Sequence, residues 1–323
     1  MTERPSLLVT RRLPDSVEAQ LSQKFEVTLN ASDVPLDREA LTQAMARYDA
    51  LCTTLTERMD AELLATPGRT VRILGNFGAG TEHIDLAAAR ANGVVVTNTP
   101  DAVTEATADL ALLLILMASR RAGEGERELR AQRWSGWHPT HLMGQSLSGK
   151  VLGLVGFGRI AQATATRARA FGLRIRYYSR TRASSDQETA FSAEYVPSLE
   201  ALAAQADVLS IHVPGGAATR HLVDSRLLTG MKPTAILVNT ARGTSVDEAA
   251  LAEALITRRI AAAGLDVYER EPAVESALLA LENVVLLPHL GSATIEARTG
   301  MGLQAAANIA AFFAGQEPPN RVA

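Results

Sequence analysis

The sequence predicts an α/β protein built on doubly wound parallel sheets. Short β-branched runs alternate with Ala/Leu/Glu/Arg-rich stretches of helical spacing along most of the chain. Parallel strands need crossover connections, so this alternation reads as parallel sheet flanked by helices. A glycine-rich turn joins one such strand to one such helix at residues 156–161. At 323 residues the chain is also long for a single hydrophobic core, and two domains are expected.

Taken in order, candidate strands lie at residues 6–10, 49–54, 71–75, 94–98, 151–156, 173–178, 207–213, 235–239, 262–267 and 284–287. Helical spacing is clearest at 37–48 and 245–258, and a terminal helix is expected over 294–314. A long helical pattern begins near Thr104 and runs through residue 130. Its apolar centre is too continuous for a surface helix, so burial between domains or at a subunit interface is expected. The loop before residue 151 carries both tryptophans, Trp134 and Trp137.

Composition excludes several classes. Hydrophobic residues are 47% and charged residues 21%, as in an ordinary folded protein. A net charge of −3 offers no general affinity for nucleic acid or an anionic membrane. The single cysteine, Cys52, cannot form an internal disulfide, so a reducing, cytoplasmic setting is expected. The N-terminus lacks a signal-peptide pattern, and the apolar segment 110–118 is about half a bilayer span. The histidines at 83, 138, 141, 212, 221 and 289 show no metal-ligand spacing, and no metal is expected.

The sharpest motif follows the strand at 151. Gly156 permits a tight turn, Gly158 lets a pyrophosphate approach the backbone, and the small Ala161 lets helix and strand pack closely. Amides at the helix start would then bind the phosphates of a dinucleotide, which makes this domain Rossmann-type. The next strand ends in Ser179, Arg180, Thr181 and Arg182, where NAD-selective sites place an acid against the ribose hydroxyls. A carboxylate there would repel a 2′-phosphate, whereas two arginines and two hydroxyls offer it charge-assisted hydrogen bonds. NADPH is therefore the expected cofactor, with NADH possible but weaker.

Three segments place titratable groups at the ends of predicted strands: residues 238–243 with Arg242, 264–272 with Asp266 and Glu271, and 288–292 with His289 and Ser292. Singly, each has a plainer reading: Arg242 as a solvated turn residue, Glu271 as part of a charged loop, His289 as a satisfied buried histidine. In this order they resemble the D-isomer-specific 2-hydroxyacid dehydrogenases. Residues 76–80 with Ile84 and Asp85 look like that family's substrate-carboxylate loop, and Asn98 to Leu110 like its crossing into the cofactor domain. Trp137 to Pro139 and residues 177–182 most resemble the glyoxylate/hydroxypyruvate reductase branch.

The resemblance implies a dinucleotide-binding domain, residues 101–290, inserted into a smaller flavodoxin-like substrate domain of residues 1–100 and 291–323. It implies a homodimer, with Trp137 reaching the partner's active site; the plainer reading is a loop anchor within its own subunit. Arg242 would grip the substrate carboxylate with a fork of donors, and the amides of Ala79 and Gly80 would hold its other side. His289 would act as acid in reduction and base in oxidation, oriented by Glu271, with Ser292 near the substrate. Cofactor contacts would come from Thr104, Gly156, Phe157, Gly158, Arg159, Ile160, Ser179, Arg180, Thr181, Arg182, His212, Val213, Pro214 and Thr219. Asn239, Thr240, Ala241, Asp266, His289 and Gly291 complete that set.

The expected activity is reduction of small 2-oxo acids, glyoxylate and hydroxypyruvate foremost, to D-2-hydroxy acids. One alternative is an NAD-dependent dehydrogenase acting on another acid, such as 2-oxogluconate or phosphoglycerate. A different class, a dinucleotide-sensing corepressor-like protein, also exists in the family; extended tails or basic patches that would favour it are missing from the sequence.

Overall fold

The computed structural model describes residues 4–323. Among these, twelve strands form two sheets, and each ladder between them is parallel. The chain divides into two compact units: one runs to Val103 and resumes at Ser292–Ala323, the other is Thr104–Gly291.

The first unit holds β1 (Ser6–Val9), β2 (Glu26–Leu29), β3 (Ala50–Thr53), β4 (Ile73–Asn76) and β5 (Val95–Thr97), in the order β2-β1-β3-β4-β5. This is the flavodoxin-like order. One face packs Leu41 and Met45 of helix Arg38–Arg47 with Leu63, Leu64 and Ala89. The other packs Val17 and Leu21 of helix Asp15–Lys24 with Ala305, Ala306 and Ile309 of helix Ile295–Phe313. Asp37 and Thr294 cap the helices they precede, each accepting a hydrogen bond from an amide in the first turn.

The second unit holds β6 (Val151–Val155), β7 (Arg174–Tyr178), β8 (Ala193–Tyr195), β9 (Val208–Ile211), β10 (Ile236–Asn239), β11 (Ala262–Leu265) and β12 (Val284–Leu286). Their order is β12-β11-β10-β9-β6-β7-β8, the Rossmann order with one strand added, and it reverses between β6 and β9. Strand β6 is buried at each of its positions, as a central strand covered on both faces must be. Helix Arg159–Ala170 turns Ala161, Thr164, Ala165 and Ala168 inward, and these small residues bring it close to helix Thr104–Ser119.

Four features differ from the sequence expectation. Strands β2 and β8 carried no recognisable signal: both lie at sheet edges, span four and three residues, and bury few of their side chains. The helical pattern from Thr104 is two helices, Thr104–Ser119 and Ala122–Arg130. Arg121 adopts a left-handed φ of 54°, and the Ser119 carbonyl accepts the Gln145 amide at 2.7 Å. Tertiary hydrogen bonding thus ends the first helix where local propensity would continue it. Its buried face, which includes Ala111, Leu114 and Ile115, lies on the sheet of its own unit, so neither a domain boundary nor a partner is needed to bury it. The helix expected from residue 245 starts at Glu248, capped by Asp247 after a short 3-10 turn.

Candidate active site

Where the strand order reverses, β6 ends at Val155 and Gly156 turns the chain with φ of 91°. A Cβ at Gly156 would lie 2.6 Å from the His212 carbonyl oxygen, so glycine is required both for conformation and for space. Gly158 precedes the twelve-residue helix Arg159–Ala170, with no side chain over its first amides and open space where a Cβ would stand. These residues line a cavity of about 660 Å³. Gly156, Phe157, Gly158, Ser179, Arg180, Thr181, Arg182, His212, Val213, Pro214 and Thr219 share its wall with Tyr178, as do Ala183, Gln187, Ala218 and Leu222, which the sequence did not single out. Phe157 can offer only its backbone, because its ring turns inward and stacks on Tyr177 at 4.1 Å. Burial pushes the His212 imidazole down to about 4, and its Nε2 lies 2.9 Å from the Ser210 hydroxyl. At neutral pH that wall therefore carries no imidazolium.

The two arginines at the end of β7 are not equivalent. Arg182 makes a bidentate pair with Glu188, 2.8 Å at both Nε and Nη2, and its guanidinium lies over the Tyr195 ring. Glu188 also accepts the Tyr177 hydroxyl at 2.7 Å. The Arg182 and Tyr177 hydrogen bonds hold the Glu188 carboxyl down at about 2. Burial, reinforced by Glu188, raises the Tyr177 hydroxyl to about 12. Among the described residues no hydrogen bond or ion pair engages the Arg180 guanidinium. Arg180 is the uncommitted cation of the pair.

The second cluster gathers at the ends of β10, β11 and β12. His289 Nδ1 lies 2.8 Å from Glu271 Oε2, with both side chains about a third exposed, at 33% and 32%. Glu271 Oε1 accepts the Tyr268 amide at 2.9 Å. Burial acts to raise the Glu271 carboxyl, but His289, the Tyr268 amide and the charge of Arg242 outweigh it and hold the carboxyl below its ordinary value. Asp266, fully buried, accepts the amides of Leu290 at 2.6 Å and Gly291 at 2.8 Å. Burial raises its carboxyl above the ordinary value. Its carbonyl accepts the His289 amide at 2.8 Å, so Asp266 clamps the turn that carries the histidine.

Arg242 sits on a turn braced by Asn239, whose side chain donates to the Arg242 carbonyl at 2.9 Å and accepts the Ala241 amide at 3.0 Å. Gly243 follows, and a Cβ there would stand 1.9 Å from the Tyr268 carbonyl carbon. That close approach presses the turn bearing Arg242 against the segment that leads to Glu271. The Thr240 hydroxyl is buried and without a protein partner, as an atom reserved for a ligand would be. The cradle at Gly156 and Gly158, the cavity and this hydroxyl together fit a bound dinucleotide.

Other expected residues fall elsewhere. Thr104 opens helix Thr104–Ser119, and the Thr107 hydroxyl of that helix donates to the Gly291 carbonyl at 3.1 Å. Arg159 and Ile160 form the first turn of their helix. Trp137 is 82% exposed, so it does not anchor the loop of its own chain. Ala79, Gly80 and Ser292 belong to the other unit. There the loop after β4 turns its carbonyls inward: Gly78 and Gly80 accept from Asn76 Nδ2, and Ala79 accepts from Asn98 Nδ2. Sequence reasoning missed Glu188, Gly243 and the roles of Asn76 and Asp266. Glu188 left no signal, whereas Gly243, Asn76 and Asp266 each lie inside a segment that the sequence singled out, without the role that the structure gives them.

Among the described residues no group of three or more His, Cys, Asp or Glu is placed to hold a metal ion, and no helix is long and apolar enough to cross a membrane. Residues 112–291 match the family model described as D-isomer specific 2-hydroxyacid dehydrogenase, NAD binding domain. The glyoxylate reductase of Thermococcus litoralis is 43% identical over 323 residues, covering 99% of this chain and 97% of that protein. Among solved structures, the NADPH-dependent glyoxylate/hydroxypyruvate reductase of Sinorhizobium meliloti, in complex with NADP and malonate, superposes with a TM-score of 0.88. It is 37% identical, with 99% of this chain and 97% of that chain covered. A glyoxylate reductase from Paecilomyes thermophila superposes with the same TM-score of 0.88 at 33% identity, covering 100% and 99% of the two chains.

Proposed function

The chain belongs to the D-isomer-specific 2-hydroxyacid dehydrogenase family and is an NAD(P)-dependent oxidoreductase, and on that premise we propose that it reduces glyoxylate and hydroxypyruvate to glycolate and D-glycerate, with NADPH preferred over NADH. The observation that carries this reading is the Glu271–His289 pair at 2.8 Å, with Arg242 held on the adjoining turn by Asn239. The choice of substrates draws support from the relatives named for glyoxylate and hydroxypyruvate reduction. The choice of NADPH draws support from Ser179, where a repelling acid would otherwise stand, and from the uncommitted Arg180.

In this reading the unit Thr104–Gly291 is the dinucleotide-binding domain and the other unit the substrate domain. Gly156, Gly158 and the first turn of helix Arg159–Ala170 would hold the pyrophosphate, Ser179 to Arg182 the adenosine end, and Thr240 the nicotinamide end. When bound, the reduced nicotinamide supplies a hydride to the carbonyl carbon of the 2-oxo acid. Arg242 binds the substrate carboxylate and polarises the adjacent carbonyl. His289 donates its Nε2 proton to the oxygen that gains charge. With Nδ1 engaged by Glu271 at 2.8 Å, the ring is held so that Nε2 is the nitrogen left to meet the substrate. The amides of Ala79 and Gly80 are assigned to the substrate carboxylate, with Ser292 and Trp137 near the substrate. The chain acts as a cytoplasmic homodimer.

The test is loss of NADPH or NADH absorbance with a panel of 2-oxo acids. Turnover of glyoxylate or hydroxypyruvate with NADPH supports the reading. Turnover with NADH alone would keep the chemistry and discard the part given to Arg180. No turnover of any 2-oxo acid, despite cofactor binding, would overturn it.

A further inference from the structure

Asn76 ends β4 and is fully buried, so each polar atom of its side chain needs a partner. Its Nδ2 donates to the carbonyls of Gly78 at 3.0 Å and Gly80 at 2.9 Å, which uses both amide hydrogens. A flipped amide would set oxygen against two carbonyl oxygens, so the orientation follows from the network. Asn76 Oδ1 must then accept, and the atom facing it at 3.0 Å is His83 Nε2, which therefore carries a proton. Asn98 Nδ2 takes the remaining carbonyl, that of Ala79, at 2.8 Å.

Three consecutive carbonyls are thus turned into the protein. In a trans peptide the C=O of one residue and the N–H of the next point in opposite directions. Drawing the Gly78 and Ala79 carbonyls inward therefore sends the Ala79 and Gly80 amides outward. Among the described residues these two amides donate to no other group. Successive outward amides form a nest suited to an anion such as a carboxylate.

We propose that Asn76 is a positioning residue for the substrate: by holding the Gly78 and Gly80 carbonyls, it aims the Ala79 and Gly80 amides at the carboxylate of the 2-oxo acid. This rests on the assignment of those amides made above. His83 supports Asn76 by fixing the orientation of its amide.

The test compares wild type with Asn76→Asp, which keeps the shape but removes both donors. Activity is measured with NADPH on glyoxylate and on its uncharged methyl ester, and oxamate binding is measured on the NADP-loaded protein. Asn76→Asp raises KM for glyoxylate and Kd for oxamate at least about tenfold, the worth of one charged hydrogen bond. Turnover of the ester and affinity for NADPH stay near wild type. His83→Gln, which retains a donor near the Nε2 position, keeps KM close to wild type, while His83→Phe follows Asn76→Asp. Equal losses on acid and ester would show general damage and overturn the proposal, as would an unchanged KM and Kd. A wild type that binds oxamate without turning over any 2-oxo acid would refute the proposed function while the oxamate comparison still decides the role of Asn76. A wild type that neither binds oxamate nor turns over acids would overturn both.

Discussion

His289 adopts φ of 55°, a left-handed conformation few non-glycine residues take, and it is held there by its own amide bonded to Asp266 and by the two amides that follow. The side chain is thereby set as well as the backbone, since Glu271 takes Nδ1. His289→Ala is expected to lose at least about a hundredfold in kcat, the usual worth of general acid catalysis, with NADPH affinity retained. A near-normal rate would refute its role. At the other end of the cofactor cavity, one uncommitted charge and one committed charge should behave differently. Arg180→Ala is expected to raise KM for NADPH about tenfold or more while leaving NADH nearly unchanged. Arg182→Ala should instead loosen Glu188 and Tyr177, seen as a lower Tm together with weaker binding of both dinucleotides. If both variants weaken NADH and NADPH alike, Arg180 does not read the 2′-phosphate.

At the scale of elements, the proposed groups other than Trp137 sit at or past the carboxyl end of a parallel strand: Asn76 ends β4, Gly156 follows β6, Ser179 follows β7, Arg242 and His289 follow β10 and β12. That is where open parallel sheets present ligands. The turns are held together by close backbone contact as much as by side chains. Gly243→Ala would press a methyl group into the Tyr268 peptide. It is expected to cost about 1–3 kcal/mol or more and to lower Tm by roughly 5–10 °C, as overpacking does. Because the contact joins the Arg242 turn to the strand-end segment of Glu271, kcat/KM for the 2-oxo acid should fall further than NADPH affinity. Calorimetry and steady-state kinetics on the same sample check both, and an unchanged Tm would show that the turn relaxes freely.

For the molecule as a whole, both units are parallel sheets covered by helices on two faces, and their strand orders match two long-known doubly wound arrangements. Large apolar side chains nevertheless remain outside: Leu129, Trp134, Trp137 and Met143 are 61%, 52%, 82% and 64% exposed. They come from one stretch of chain, which suits a surface covered by a second copy. The 34.4-kDa chain is expected to sediment at twice its mass, and Trp137→Ala to lower kcat/KM without loss of Tm. A monomer with full activity would remove both the dimer and the role given to Trp137.

The α/β class, the Gly156–Ala161 turn and the order Arg242, Glu271, His289 were legible in the sequence, because hydrophobic periodicity and glycine placement are local properties that the fold only executes. Strands β2 and β8 were not, since they bury none and one of their side chains, whereas the equally short edge strands β5 and β12 bury two each and left a readable apolar run. Nor was the break at Arg121, where the Gln145 amide takes a carbonyl that helix propensity alone would have kept. The inequality of Arg180 and Arg182 also escaped, because it depends on Glu188 reaching back from the next helix. The clamp of Asp266 and the carbonyl grip of Asn76 are of the same kind. The sequence by itself determined which chemical groups stand at which strand ends; the tertiary structure alone decided which of them are already satisfied by neighbours and which are left to meet a ligand. Hydrogen-bond partnership between residues distant in sequence has no periodicity to read.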